Sequence, residues 1–328
     1  MIEQAIQKLL QERCTPAVVR AIEQGGDAAP LWAEIEASGF LDLLVSEEAG
    51  GAGLPLAELF PILCAFGAHA VPLPMAQTIV ARALIGPAAQ GRVTIAPALL
   101  RGAGGALQCP LVPMGLVADR VLAAEGRRLW LLPAERAQRR PTGVHGSLTA
   151  SLDWSDAGAA VEVPGDGSVL QAYGAAVHAA LLAGAMSRVL QMSLTYCNDR
   201  EQFGRPIGKF QAVQHQLAVM AEQVVAASVA AEVAFAGDGE RGDIAHAPTL
   251  LTAAIAKART SEAATQVAAI AHAVHGAIGI TDEYDLQLFT RRLHEWRIAH
   301  GSELYWQRIV GDAFFAQNGS LAEFVRLG

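Results

Sequence analysis

Charge and aromatic side chains are both scarce in this chain. Only 17% of its 328 residues are Asp, Glu, Lys or Arg, and only 6% are aromatic. With 52% hydrophobic residues, that balance excludes disorder over the bulk of the chain. Lys plus Arg number 24 against 32 Asp plus Glu, a net charge of −8, and no basic run interleaves with aromatics. Nucleic acid is therefore not an expected partner. The four cysteines (Cys14, Cys64, Cys109, Cys197) are far apart and show no CxxC spacing. That excludes a zinc ribbon or disulfide framework and fits a reducing cytoplasm. The first ten residues are amphipathic and lack the continuous apolar core of a signal peptide. The longest apolar stretch, Ala175 to Ser187, contains His178 and is closed by Arg188. A bilayer needs about 20 apolar residues, so no membrane span is expected. Mean hydropathy is still positive, +0.30, which calls for extensive burial, part of it between subunits.

Ala and Leu supply most of the apolar side chains, as suits closely packed helices. Residues 1–91 read as an N-terminal helical domain, with Ile2, Ile6, Leu9 and Leu10 and then Val18, Val19 and Ile22 at helical spacing. A Gly-rich break runs from Ser46 to Pro55. Over 92–165 Pro and Gly become frequent and apolar runs shorten, predicting a small β-domain. Its strands are expected at Arg92–Ala96, Arg120–Ala124, Arg128–Leu132 and Ala159–Val163, with a hairpin turn at Glu125-Gly126-Arg127. Residues 166–328 return to long helices joined by short turns, an antiparallel bundle. Ser168 is the expected N-cap of the first, and a second is expected to end at Gly237-Asp238-Gly239.

Two segments hold chemistry-bearing residues. Arg200-Glu201-Gln202-Phe203-Gly204-Arg205-Pro206-Ile207-Gly208-Lys209-Phe210-Gln211 breaks two long helices. It offers a guanidinium, an aromatic face and amides, a set able to hold a phosphate beside a flat ring. His275-Gly276-Ala277-Ile278-Gly279-Ile280-Thr281-Asp282-Glu283-Tyr284 places close glycines at a helix end, where backbone N–H groups can approach a phosphate. Each alone also reads as an ordinary capped turn.

Together with Glu47-Glu48-Ala49-Gly50-Gly51-Ala52-Gly53-Leu54, these segments make the chain resemble the acyl-CoA dehydrogenases. The first is similar to that family's R-x-Q-F-G-x-P-I-x-x-F-Q element, the second to its Q-x-H-G-G-x-G-x-T-x-E-Y element. The resemblance implies a mainly α fold: an N-terminal helical domain, a middle β-domain and a C-terminal four-helix bundle. It implies FAD at a subunit boundary, an acyl-CoA substrate, an electron-transfer acceptor, and assembly either as a homo-oligomer or with a homologous catalytic subunit. Arg200 would bind the pyrophosphate of a neighbour's FAD, with Gln202 helping, Phe203 near the adenine and Gln211 on the nucleotide. Gly276, Ala277 and Gly279 would admit its ADP part, and Ser302 joins the cofactor contacts.

The family's base is a glutamate in an E-G-T or E-G-S triplet, and here the triplet reads His300-Gly301-Ser302. A second branch carries the glutamate early on the first bundle helix, which falls at about Gly174 here. Ala273 replaces the family's Gln, and the C-x-T-E-P strand has no counterpart beyond Cys109-Pro110-Leu111-Val112-Pro113. Two readings stay open: His300 is the base, or the chain completes a partner's site. Glu283, Arg291, Arg292 and Glu295 read as helix-surface ion pairs. No metal site or hydrolase triad is legible.

Overall fold

The structure, a computed structural model, describes residues 2–236, 247–317, 319, 320, 322 and 324. Five helices lead: α1 (Ile2–Arg13), α2 (Pro16–Glu23), α3 (Ala29–Ala37), α4 (Leu56–Ala68) and α5 (Met75–Ile85). Thr15 caps α2 by accepting from the Val18 N–H, and Pro16 occupies a first-turn position. Ile6, Leu10, Val19, Ile22 and Ile35 point inward and join one core with the C-terminal helices.

Eight strands follow: β1 (Val93–Ile95), β2 (Leu100–Arg101), β3 (Leu107–Val112), β4 (Arg120–Glu125), β5 (Arg128–Pro133), β6 (Gln138–Pro141), β7 (Ala150–Trp154) and β8 (Val161–Val163). They form two four-stranded sheets, ordered β1-β4-β5-β8 and β2-β3-β7-β6. Only β1 with β4 pairs parallel. Strand alternation divides β4 between two cores. Val121 and Ala123 face the second sheet with Leu107, Leu152 and Trp154. Leu122 faces the helices with Val93, Ile95 and Leu131.

The bundle comprises α6 (Leu170–Asp199), α7 (Gln211–Val233), α8 (Leu250–His275), α9 (Leu286–Ile298) and α10 (Glu303–Ala316), with a small hairpin, β9 (Glu201–Gln202) and β10 (Arg205–Pro206), between α6 and α7. Gly67 and Gly184 let α4 and α6 touch backbone to backbone: a Cβ on either would overlap the Leu181 or Cys64 carbonyl. Asp166, not Ser168, is the capping side chain before α6, accepting from the Ser168 N–H over a 3-10 turn, Gly167–Val169. The expected end at Gly237-Asp238-Gly239 lies outside the described residues.

Two further expectations need correction. Three helical stretches, Gly167–Asp199, Gln211–Val233 and Leu250–Ile280, are long and apolar enough to cross a membrane by length and composition. Single polar residues such as His178 are diluted over these lengths. The first is largely buried inside the bundle. Second, Arg291, Arg292 and Glu295 are not surface pairs. Arg291 and Arg292 both donate to Glu23 of α2 at 2.8 Å, and Arg292 also donates to Glu295 at 2.6 Å. Glu295 accepts from Ser147 at 2.7 Å and Thr149 at 2.5 Å. This buried network ties α2, α9 and the loop before β7 together, and Glu283 has no place in it. A surface reading failed because the partners lie far away in sequence.

Candidate functional site

At the C-terminal end of α6 the chain turns through β9 and β10. The register pairs Gln202 with Arg205, so Phe203 and Gly204 form a two-residue turn. Both have positive φ, 52° and 78°, as a type I′ turn demands. Asn or Gly is the usual first residue of such a turn. A phenylalanine there carries strain of about 1 kcal/mol, and its ring is 92% exposed. The side chains of Arg200, Gln202 and Gln211 are also exposed and have no protein partner among the described residues. Gln211 opens α7, whose first N–H groups are free to face an anion.

The second segment reaches the same end. Tyr196 of α6 stacks on His275 at 4.5 Å between ring centres, and Tyr284 closes the cluster. The Tyr196 hydroxyl donates to the His275 carbonyl at 3.3 Å. Gly276 and Ala277 are exposed beside it, whereas Gly279 is buried. A Cβ on Gly279 would stand 3.0 Å from the His275 Cβ and 3.1 Å from Leu286, so a side chain there would need its neighbours to yield by a few tenths of an ångström.

His300 sits at the opposite end of α6. Gly174 and Arg200 are 26 helical steps apart, about 39 Å at 1.5 Å per residue. His300 adopts φ 55°, and its ring is buried against α6. A Cβ on Gly174 would overlap the His300 Nδ1. The ring therefore occupies the space that any side chain at 174 would need. It also lies 4.9 Å from the His178 ring, centre to centre. Burial, then the neighbouring His178 and Lys257, push the His300 pKa well below 6.5. Burial likewise takes His178 down to about 4, against the pull of its hydrogen bond to the Gly174 carbonyl. Both rings are neutral at pH 7.

A cleft of about 560 Å³ opens beside this turn. Pro97, Pro110, Leu111, Val144 and Ile298 give it apolar walls, and His294, Glu295, His300 and Gly301 line one side. Glu295 is the cleft's carboxylate. Burial alone would raise its pKa, but the Arg292 charge, then the Thr149 and Ser147 hydroxyls, hold it below the ordinary value. A carboxylate so fully engaged is a poor proton acceptor. Ser302 precedes α10 without capping it.

The sequence profile described as "Acyl-CoA dehydrogenase, C-terminal domain" matches residues 171–314, and the one for the N-terminal domain matches 1–91. The chain belongs to the acyl-CoA dehydrogenase family. Two relatives named acyl-CoA dehydrogenase IpdE2 are each 33% identical to it. For the one from Mycolicibacterium smegmatis the match covers 90% of this chain and 91% of the relative. For the one from Mycobacterium tuberculosis it covers 90% of each. The ChsE4–ChsE5 complex from Mycobacterium tuberculosis contains a chain with the same fold: TM-score 0.83, 23% identity, 97% of both chains covered. The Tcur3481–Tcur3483 steroid acyl-CoA dehydrogenase is similar at TM-score 0.78 and 26% identity, with 96% of both chains covered.

Gly174 and His300, the two positions at which the resemblance puts the family's glutamate, are thus neighbours in space although 126 residues apart. Its two motif segments, around Arg200 and Gly276, also meet, at the other end of the bundle. Sequence reading took His178 as part of an apolar stretch and Glu295 as a surface ion pair, and it missed Lys257. For Lys257 the available signal was a lone charge within the alanine-rich inner face of α8.

Proposed function

We propose that this chain works in the FAD-dependent α,β-dehydrogenation of an acyl-CoA thioester as one subunit of a hetero-oligomer, completing the flavin site of a homologous subunit that carries the base. The observation behind this is the filling of Gly174's space by the His300 ring. Neither family position offers a carboxylate, and Glu295 is committed to Arg292, Ser147 and Thr149.

The residues of the Arg200 segment fit a flavin dinucleotide: an unpartnered guanidinium, free amides and a strained, uncovered ring. Arg200 would make charge-assisted bonds to the pyrophosphate. Gln202 and Gln211 would donate amide N–H groups, and Phe203 would offer its face to the adenine. The Ala277 backbone N–H would face the phosphates, and Gly276, whose own N–H donates to the His272 carbonyl, would admit them by its missing side chain. The flavin, when bound, supplies the acceptor for the substrate's β-hydride. Gly174, against which the His300 ring packs, and Arg200 lie about 39 Å apart along α6, too far to serve one flavin, so the Arg200 segment would serve a neighbour's. Exposed apolar side chains on α7 (Val225, Val229) and α10 (Leu304, Phe315) suit burial against such a neighbour. An electron-transfer protein would reoxidise the complex, and a cytoplasmic location follows from the cysteine usage.

A second reading keeps His300 as the base, because it lines the cleft. Its depressed pKa weakens that reading, since a base works best with a pKa near the operating pH. The visible spectrum of the purified chain, alone and with a glutamate-bearing homologous subunit, tests the proposal. Flavin and acyl-CoA turnover are expected only in the mixture.

A further inference from the structure

Lys257 is the one fully buried lysine among the described residues, and none of the roles above uses it. It projects from α8 to the C-terminal end of α9. Its Nζ donates to the Arg297 carbonyl at 2.7 Å, the Gly301 carbonyl at 3.1 Å and the Ser261 hydroxyl at 2.8 Å. Ser261 itself donates to Arg297 O at 3.1 Å. The two carbonyls bracket the turn that carries His300. Between them the chain runs through two positive φ values, 55° at His300 and 106° at Gly301. Left-handed backbone at a histidine persists only where its surroundings impose it. Trp306 supplies one further constraint, donating from Nε1 to His300 O at 3.0 Å.

We infer that Lys257 is the positioning residue of the His300 turn: by binding Arg297 O and Gly301 O at once, it fixes the left-handed bend that sends the His300 ring onto Gly174 and His178. The geometry favours this over simple packing. A helix C-terminus leaves unpaired carbonyls and carries partial negative charge, and a buried amine satisfies both. The clamp also does not depend on charge. Burial pushes the Lys257 pKa down to about 7. A neutral amine still has two N–H donors for the two carbonyls. The inference stands whether or not this chain holds a catalytic base, because it concerns only what shapes the turn.

The test is Lys257→Met in the full chain, which keeps the volume and removes every donor. Amide hydrogen exchange over 298–302 and the imidazole ¹⁵N shifts of His300 are the readouts. Exchange in the turn is expected to rise about tenfold, with α6 unchanged. The His300 signals are expected to move to values averaged over several ring positions. Ser261→Ala, which leaves both carbonyl bonds, is expected to change exchange by less than about threefold. A folded Lys257→Met with the turn and ring signals of the native chain would overturn the inference, as would equal effects of the two variants. If Lys257→Met does not fold, the native chain decides. Slowly exchanging Lys257 Nζ protons coupled to the Arg297 and Gly301 carbonyls support the clamp, and rapid exchange without coupling refutes it.

Discussion

Placing one methyl group on Gly174 probes the packing of the His300 ring against α6. Glycine in a helix interior is less favourable than alanine by about 1 kcal/mol, so Gly174→Ala should stabilise α6 if nothing opposed it. Here the new Cβ would overlap His300 Nδ1, and the ring is walled in by His178. Overpacking of this kind costs roughly 1–3 kcal/mol, so a net loss of about 1 kcal/mol is expected. In a His300→Ala background the ring is gone, its left-handed backbone is still that of a non-glycine residue, and the methyl enters a cavity. Gly174→Ala should then stabilise by about 1 kcal/mol, its helix propensity regained. The coupling energy between the two sites is therefore about 2 kcal/mol, with a change of sign. Urea unfolding of the four proteins measures it. Additive effects within about 0.5 kcal/mol would show that the ring does not fill the space at 174, and the account of the missing base would fail with it.

Arg200→Ala should weaken flavin binding to the assembled protein by about 2 kcal/mol or more, the scale for a hydrogen bond to a charged group, as read by titration with FAD. Unchanged affinity would remove Arg200 from the site. His178, with a folded pKa of about 4, stays neutral while the unfolded chain binds a proton near 6.5. Stability is then complete above 6.5 and lost as pH falls towards 4, by about 2 kcal/mol between pH 7 and 5 from this group, and His300 shifts in the same direction. A flat urea midpoint over that range would contradict the buried neutral pair. Glu295→Ala leaves Arg292 paired with Glu23 but unties Ser147 and Thr149, so a loss of about 1–3 kcal/mol is expected in thermal or urea unfolding. Sedimentation with a homologous subunit and FAD should give a dimer or larger assembly, and a monomer at micromolar concentration would refute the shared site.

Helix order and the motif segments were legible because their signals are local. Gly204 and Pro206 break a helix wherever they occur, and Gly126 with its flanking apolar runs predicts the β4–β5 turn. Strands β3, β6 and β7 were not legible. Pro110 interrupts the first, β6 is mostly polar, and β3 pairs with β7 across 38 to 47 residues. The Glu23–Arg292 pair and the His300–Gly174 contact have no sequence signature for the same reason: each joins residues more than 100 positions apart. Sequence could say that a glutamate was missing at two places. Only the fold brings Gly174 and His300 into contact, with the imidazole filling the space beside Gly174.

The most direct measurement of the central claim is acyl-CoA turnover by this chain, native and His300→Ala, each alone and each combined with a glutamate-bearing homologous subunit. The account predicts no turnover by either protein alone, and equal turnover by the two combinations. Turnover by the native chain alone, abolished by His300→Ala, would contradict it and make His300 the base.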